Sequence, residues 1–193
     1  MEWVSANRYL SDPEMQNNAK IIYDYLTEKG WSINAICGML GNMQSESTIN
    51  PGIWESLIPY EGGFGLVQWT PYTNLTRVTV TGLGMEMDDG YAQLIWIDEY
   101  TVDMGQWIAT DDYNISFTEF KKSNKSVEWL ASAFLKNFER AGVEVEEQRQ
   151  TQARTWYNYL SESGDSGSGG GGGTSGKGRK MSKLLMWVAT DII

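Results

Sequence analysis

The 193-residue chain contains no histidine and a single cysteine, Cys37. Without histidine there is no Ser-His-Asp or Cys-His relay to activate a nucleophile. One cysteine can form neither an internal disulfide nor the Cys/His ligand set of a zinc site. No D-x-[DN]-x-[DN]-G run offers a calcium loop. No metal and no cofactor is therefore expected. Positive charge is scarce too: 15 Lys and Arg stand against 25 Asp and Glu, a net charge of −10. That balance argues against a nucleic-acid partner, which needs a basic footprint. No apolar run approaches the roughly 18 residues of a membrane helix. Met1 to Ser5 lack the basic start and apolar stretch of a signal peptide. Acid–base chemistry must then fall to carboxylates, with Lys and Tyr behind them.

What is present is a globular composition, 41% hydrophobic, with nine Trp and ten Tyr. Residues 1–160 carry 11 basic and 22 acidic side chains, a net of −11, and are long enough for a sizeable core. Residues 161–176, SESGDSGSGGGGGTSG, read as a flexible Gly/Ser linker. Residues 177–193 open basic and turn apolar, and are too short to fold alone. They read as the truncated start of a second domain or as a disordered tail.

Within 1–160 the apolar spacing is mostly helical. Ser11 or Asp12 caps a first helix with Pro13 and Glu14 in its opening turn, and Gly30 stops it. Ser32 caps a second, with Ile33, Ile36, Cys37, Leu40 and Met43 on one face. A third covers about Asp89 to Trp107. Ser116 and Glu119 form a capping box for a short helix. Ser126 caps the stripe from Val127 to Phe138, and a last helix lies near 145–160. Residues 50–82 are the exception. Turn signals at Asn50-Pro51-Gly52 and Glu61-Gly62-Gly63, with β-branched Thr76 to Thr81, predict loops and one short hairpin. The expected class is α+β, mostly α, with an irregular or hairpin insertion.

Glu46 is the leading catalytic candidate. It falls in the last turn of the second helix, where the negative end of the helix dipole disfavours an ionised carboxylate. Met43, one turn back, brings apolar surroundings that act the same way. A Trp- and Tyr-rich loop follows, with Trp54, Tyr60, Trp69 and Tyr72. A carboxylic acid kept protonated can donate to a leaving oxygen; the plainer alternative is an exposed helix-end Glu with no task. In Gly63 to Pro71, GFGLVQWTP, glycines let a ligand approach the backbone. Gln68 offers a donor and an acceptor there, and Trp69 an aromatic face, a combination suited to sugar rings; the alternative places Trp69 in the core.

The segments at 36–54, ICGMLGNMQSESTINPGIW, and 63–71, GFGLVQWTP, resemble the phage tail lysozymes, related to goose-type lysozyme and the soluble lytic transglycosylases. Weaker similarity lies at 131–140, ASAFLKNFER, and at Trp156-Tyr157. The resemblance covers roughly residues 6–160. It implies a lysozyme-like fold that cuts the β-1,4 bond between N-acetylmuramic acid and N-acetylglucosamine in peptidoglycan. It implies Glu46 as general acid, Ser47 as the partner positioning that helix end beside the substrate, Gln68 lining the cleft and Phe138 near the acid. Tyr72 joins Trp69 as an aromatic substrate contact. Phe138-Glu139-Arg140 departs from the Tyr-Asn-Ala-Gly of the wider transglycosylase group.

An inverting hydrolase needs a second carboxylate about 6.5–9.5 Å from the acid, and a retaining one needs it closer. Glu55, Glu61 and Glu139 are the candidates. Without one near, the substrate's own 6-hydroxyl can attack and leave a 1,6-anhydro product, the lytic transglycosylase route. The other readings are a non-catalytic wall-binding module and a structural tail domain. The acidic domain cannot be steered electrostatically to an anionic wall. A tethered second domain, often a peptidase in this family, would supply delivery. The expected setting is the phage virion, in its tail, or the cell exterior, as a lysin.

Overall fold

The computed structural model describes residues 1–140 and 146–165. Among them the chain forms seven α-helices: α1 Asp12–Glu28, α2 Ile33–Ser47, α3 Thr73–Val78, α4 Gly90–Ile95, α5 Phe117–Lys122, α6 Val127–Phe134 and α7 Glu146–Asp165. Helices α3, α4 and α6 each run on into a wider π-type turn, at Thr79–Leu83, Trp96–Tyr100 and Leu135–Glu139. The mostly helical class expected from the spacing is the one found, with isolated bridges as its only β pairing among the described residues. None of the described helices is long and apolar enough to cross a membrane.

The capping chemistry written in the sequence is realised. Ser11 and Glu14 form a full capping box on α1, with Pro13 in the first turn. Ser32 accepts the Ala35 amide at 3.1 Å, Ser116 and Glu119 close a second box, and Ser126 caps α6. These side chains satisfy amides that a helix start leaves orphaned.

Helix α2 is the centre of the molecule. Ala35, Ile36, Cys37, Met39, Leu40 and Met43 are all fully buried, so it is apolar nearly all round, as an internal helix must be. Gly38 and Gly41 explain how closely its neighbours approach. A Cβ on Gly38 would lie 2.9 Å from the Ala131 amide of α6, and one on Gly41 2.4 Å from the Arg149 carbonyl of α7. Two elements end differently from the spacing pattern. The helix expected over 89–107 stops at Tyr100, and Gly105, at φ +65°, belongs to the turn beyond. The last helix runs to Asp165, so 161–165 of the expected linker are helical. The remainder of that linker and the expected second-domain start lie outside the described residues.

The insertion is partly as expected. Bridges pair Trp54 with Phe64 and Phe64 with Trp69, a minimal hairpin. The β-branched run at 76–81, however, is helical. Leu75, Val78 and Thr79 are buried, a helical spacing. Thr79 also donates its hydroxyl to the Leu75 carbonyl at 3.3 Å inside the helix. Burial on a helical period here outweighs a β-propensity worth ~1 kcal/mol at most.

The first eleven residues form a strap across the end of α2. Asn50 donates to the carbonyls of Ala6 and Arg8, each at 2.6 Å. Asn18 donates to the Ile49 carbonyl at 2.9 Å, and Leu10 donates its amide to the Thr48 hydroxyl at 2.9 Å. These bonds hold Thr48 and Ile49 at φ +53° and +56°, a left-handed conformation that β-branched residues rarely adopt.

Candidate active site

The strained turn at Thr48 and Ile49 stops α2 at Ser47, one residue after Glu46, and so fixes where Glu46 stands. Glu46 lines a groove of about 790 Å³, and its side chain keeps 20% of its surface exposed. One side of the groove is the hairpin insertion, with Trp54, Gln68 and Trp69. The other is the turn after α6, with Phe138, Glu139 and Arg140.

Gln68 sits at φ +49°. Its amide nitrogen donates to the Gly65 carbonyl at 3.0 Å, while its carbonyl oxygen is buried without a partner. The Trp69 indole N–H is buried and unpartnered as well. Gln93 holds this loop, accepting the Leu66 amide at 2.9 Å and donating to Pro51 and Met87. Phe138 is buried under the groove and stacks on Phe134 with centroids 4.4 Å apart.

Three residues named from the sequence stand elsewhere. Ser47 is fully buried behind the groove. Its hydroxyl donates to the carbonyls of Met43 (3.0 Å) or Leu66 (2.9 Å) and accepts the Asn50 amide. It clasps the helix end to the Gly-Leu loop and does not line the groove, so the substrate contact expected of it is corrected. Tyr72 packs against Trp54 and Tyr60, at 5.1 and 5.9 Å between centroids, and is not part of the wall. Glu61 lies in the exposed loop away from the groove, because the turn at Tyr60 and Gly62 turns it outward to solvent. Glu55 is in the wall, with its carboxylate accepting the Gly63 amide at 2.8 Å. The lone Cys37 is a core residue whose thiol burial pushes up to about 12, too high for a nucleophile at neutral pH.

Of the sequence candidates for a second carboxylate, Glu139 and Glu55 line the groove with Glu46, and Glu139 is the one whose pKa the Glu46 charge raises. One of its oxygens is sealed from solvent without a hydrogen-bond partner. Burial first, and the Glu46 charge second, raise its pKa well above the usual carboxylate range, while Arg149 and Arg140 pull it back. Sequence spacing missed Arg149 altogether. It lies on α7, is 5% exposed, and donates to Glu46 Oε1 at 2.6 Å and to Asn42 Oδ1 at 3.2 Å. The α2 dipole is thus not the only field at Glu46, since a full positive charge rests on its carboxyl. A signal for Arg149 existed in part: an Arg within an apolar helical stripe is rarely buried unless paired. Its partner, 103 residues away, is set by the α2–α7 contact alone. Among the described residues no group of three or more His, Cys, Asp or Glu is placed to hold a metal.

A carboxyl with one sealed oxygen, a salt-bridged carboxylate and aromatic side chains thus meet at this groove. Morphogenesis protein 1 of Bacillus phage B103 is 47% identical over 167 residues, which are 83% of this chain and 44% of that protein. The chain therefore spans less than half the length of this relative. The family described as phage tail lysozyme matches residues 17–160, most of the chain and every groove residue from Gln44 to Arg140, and the chain belongs to that family.

Proposed function

We propose that the domain is a muramidase, cleaving the β-1,4 bond between N-acetylmuramic acid and N-acetylglucosamine in peptidoglycan as part of a phage particle. Membership of the phage tail lysozyme family supports the cell-wall role. The observation that supports the mechanism is that Glu46 and Glu139 line one groove, with the buried Arg149 bonded to Glu46.

Glu46 and Glu139 line the same groove, and the Glu46 charge is the second cause, after burial, that raises the Glu139 pKa. Two carboxyls beside one buried guanidinium are neutral overall when they share a single proton. Hydrolysis requires that proton on Glu46, with Glu139 ionised. Glu46 protonates the bridging oxygen, and the C1–O electrons leave with N-acetylglucosamine. Water adds to C1 of the muramic ring and gives its proton to Glu139, restoring the pair's single proton. Trp54 and Trp69 are core residues, 5% and 4% exposed, that shape the groove wall from behind. The unpaired Gln68 carbonyl and Trp69 N–H match the donor and acceptor of an acetamido group.

A second reading rests on the burial of Glu139. Held neutral, it cannot take a proton from water, and the 6-hydroxyl of the muramic ring attacks instead, as in a lytic transglycosylase. Mass spectrometry of digested muropeptides separates the two: reducing ends support hydrolysis, and 1,6-anhydro ends throughout overturn it. A Glu46→Gln variant is expected to clear purified walls about 10²–10⁴ times more slowly. Clearance at the parent rate would refute the role given to Glu46. A peptidase-like second domain joined through the Gly/Ser stretch remains part of the proposal, supported by the greater length of the Bacillus phage B103 relative.

A further inference from the structure

Arg149 is a costly residue to place where it is. It is buried between α2 and α7, and its Nε is unpartnered. One terminal nitrogen donates to Asn42 Oδ1 at 3.2 Å and the other to Glu46 Oε1 at 2.6 Å. Asn42 is itself anchored, donating to the carbonyls of Gly38 (2.9 Å) or Ala131 (3.0 Å). The guanidinium is therefore held from both sides. A short, charge-assisted bond in a sheltered position fixes an oxygen far better than a surface pair does.

This geometry has a consequence for proton delivery. An oxygen that accepts from a guanidinium cannot also be the one that carries the proton. We infer that Arg149 is a positioning residue of the proposed reaction: by occupying Oε1 of Glu46 it leaves Oε2 as the oxygen that holds and delivers the proton. Once the proton has gone to the glycosidic oxygen, the carboxylate left behind already has its counter-charge in hydrogen-bond contact. No reorganisation is needed at that moment, which is the condition under which fixed charges assist a transition state.

The inference rests on Glu46 being the donor, and its test must separate the two. The other ionisable groups of the groove wall are Tyr9, Asp12, Glu55, Glu139 and Arg140. None of them hydrogen-bonds to Glu46, and Arg149 also acts on Glu139, lowering its pKa. Loss of the cation should therefore move the Glu139 limb of the pH–rate profile to higher pH.

The experiment measures clearance of purified walls across pH by the parent, Arg149→Lys and Arg149→Ala. Arg149→Ala should lose about ten- to a hundredfold in kcat with KM little changed, and the Glu139 limb of its profile should move alkaline. Arg149→Lys should keep part of the rate and most of the profile. Guanidinium chloride at low millimolar concentration should restore part of the activity of Arg149→Ala. A merely structural Arg149 predicts a loss equal at every pH, tracking melting temperature and unmoved by guanidinium, and that result overturns the inference. If Arg149→Ala does not fold, the Arg149→Lys profile decides: a rate and profile identical to the parent's sink it. Full activity in Glu46→Gln would instead sink the donor assignment beneath it.

Discussion

Glu139 shows how a single side chain can oppose the fold that holds it. Its pKa lies well above 4.5, pushed first by burial and then by Glu46, so folding takes up a proton. The stability this group contributes is full below its unfolded pKa and is lost as pH rises through the raised folded value. Glu139→Gln keeps the shape and removes the titration. The variant is expected to gain melting temperature over the parent, increasingly so as pH climbs from about 4 to about 8. Parallel curves for the two proteins would mean that the carboxyl is not held neutral. Glu14 shifts the other way. Arg8 and the Ser11 cap lower it to about 2, so its contribution is present above 4.5 and fades as pH falls toward that value.

Between elements, the contact that builds the site is that of α2 with α7. It is made by Gly41, over which the Arg149 and Ala153 backbone passes. Around it lies a polar seam: Ser45 donates to Gln152 at 2.7 Å and Trp156 donates to Gln44 at 2.9 Å. Gly41→Ala would drive a methyl group to 2.4 Å from the Arg149 carbonyl. Overpacking of this kind costs about 1–3 kcal/mol, and here it also shifts Arg149 away from Glu46. A denaturant melt should show that loss, and wall clearance should fall with it. A variant as stable as the parent would mean that the two helices do not touch at this glycine. The helices themselves were legible: Ser11, Ser32, Ser116 and Ser126 announce their starts. The run from Thr76 to Thr81 is helical against its β-branched character because burial there follows a helical period, which side-chain type alone does not encode.

For the whole molecule, the governing quantity is a net charge of −10. If the substrate is an anionic wall, approach is repulsive, and salt shortens the reach of that repulsion to about 10 Å at 0.1 M. Wall clearance by this chain should accordingly speed up as ionic strength rises from about 0.01 to about 0.1 M. A steep fall over that range would point to a local basic surface that leads the encounter. The strap of residues 1–11 also acts at this scale. It ties the N-terminus to Asn18, Thr48 and Asn50, and through them to the turn that stops α2 beneath the groove.

Much of this protein is determined locally. Helix starts follow from one side chain reaching an amide three residues on, apolar stripes follow from a period of 3.6, and the absence of histidine narrows the chemistry before any fold is known. Glu46 could be singled out because a helix end and an aromatic loop adjoin it in the chain. Ser47, Tyr72 and Glu61 stand away from the groove for a related reason: neighbours in sequence point to opposite sides of a helix end or a turn, and only packing decides which side meets the groove. The partnership of Glu46 with Arg149 and Glu139 is tertiary throughout. Charges more than ninety residues apart meet because glycines let helices close, and burial, which no local pattern encodes, then raises the Glu139 pKa.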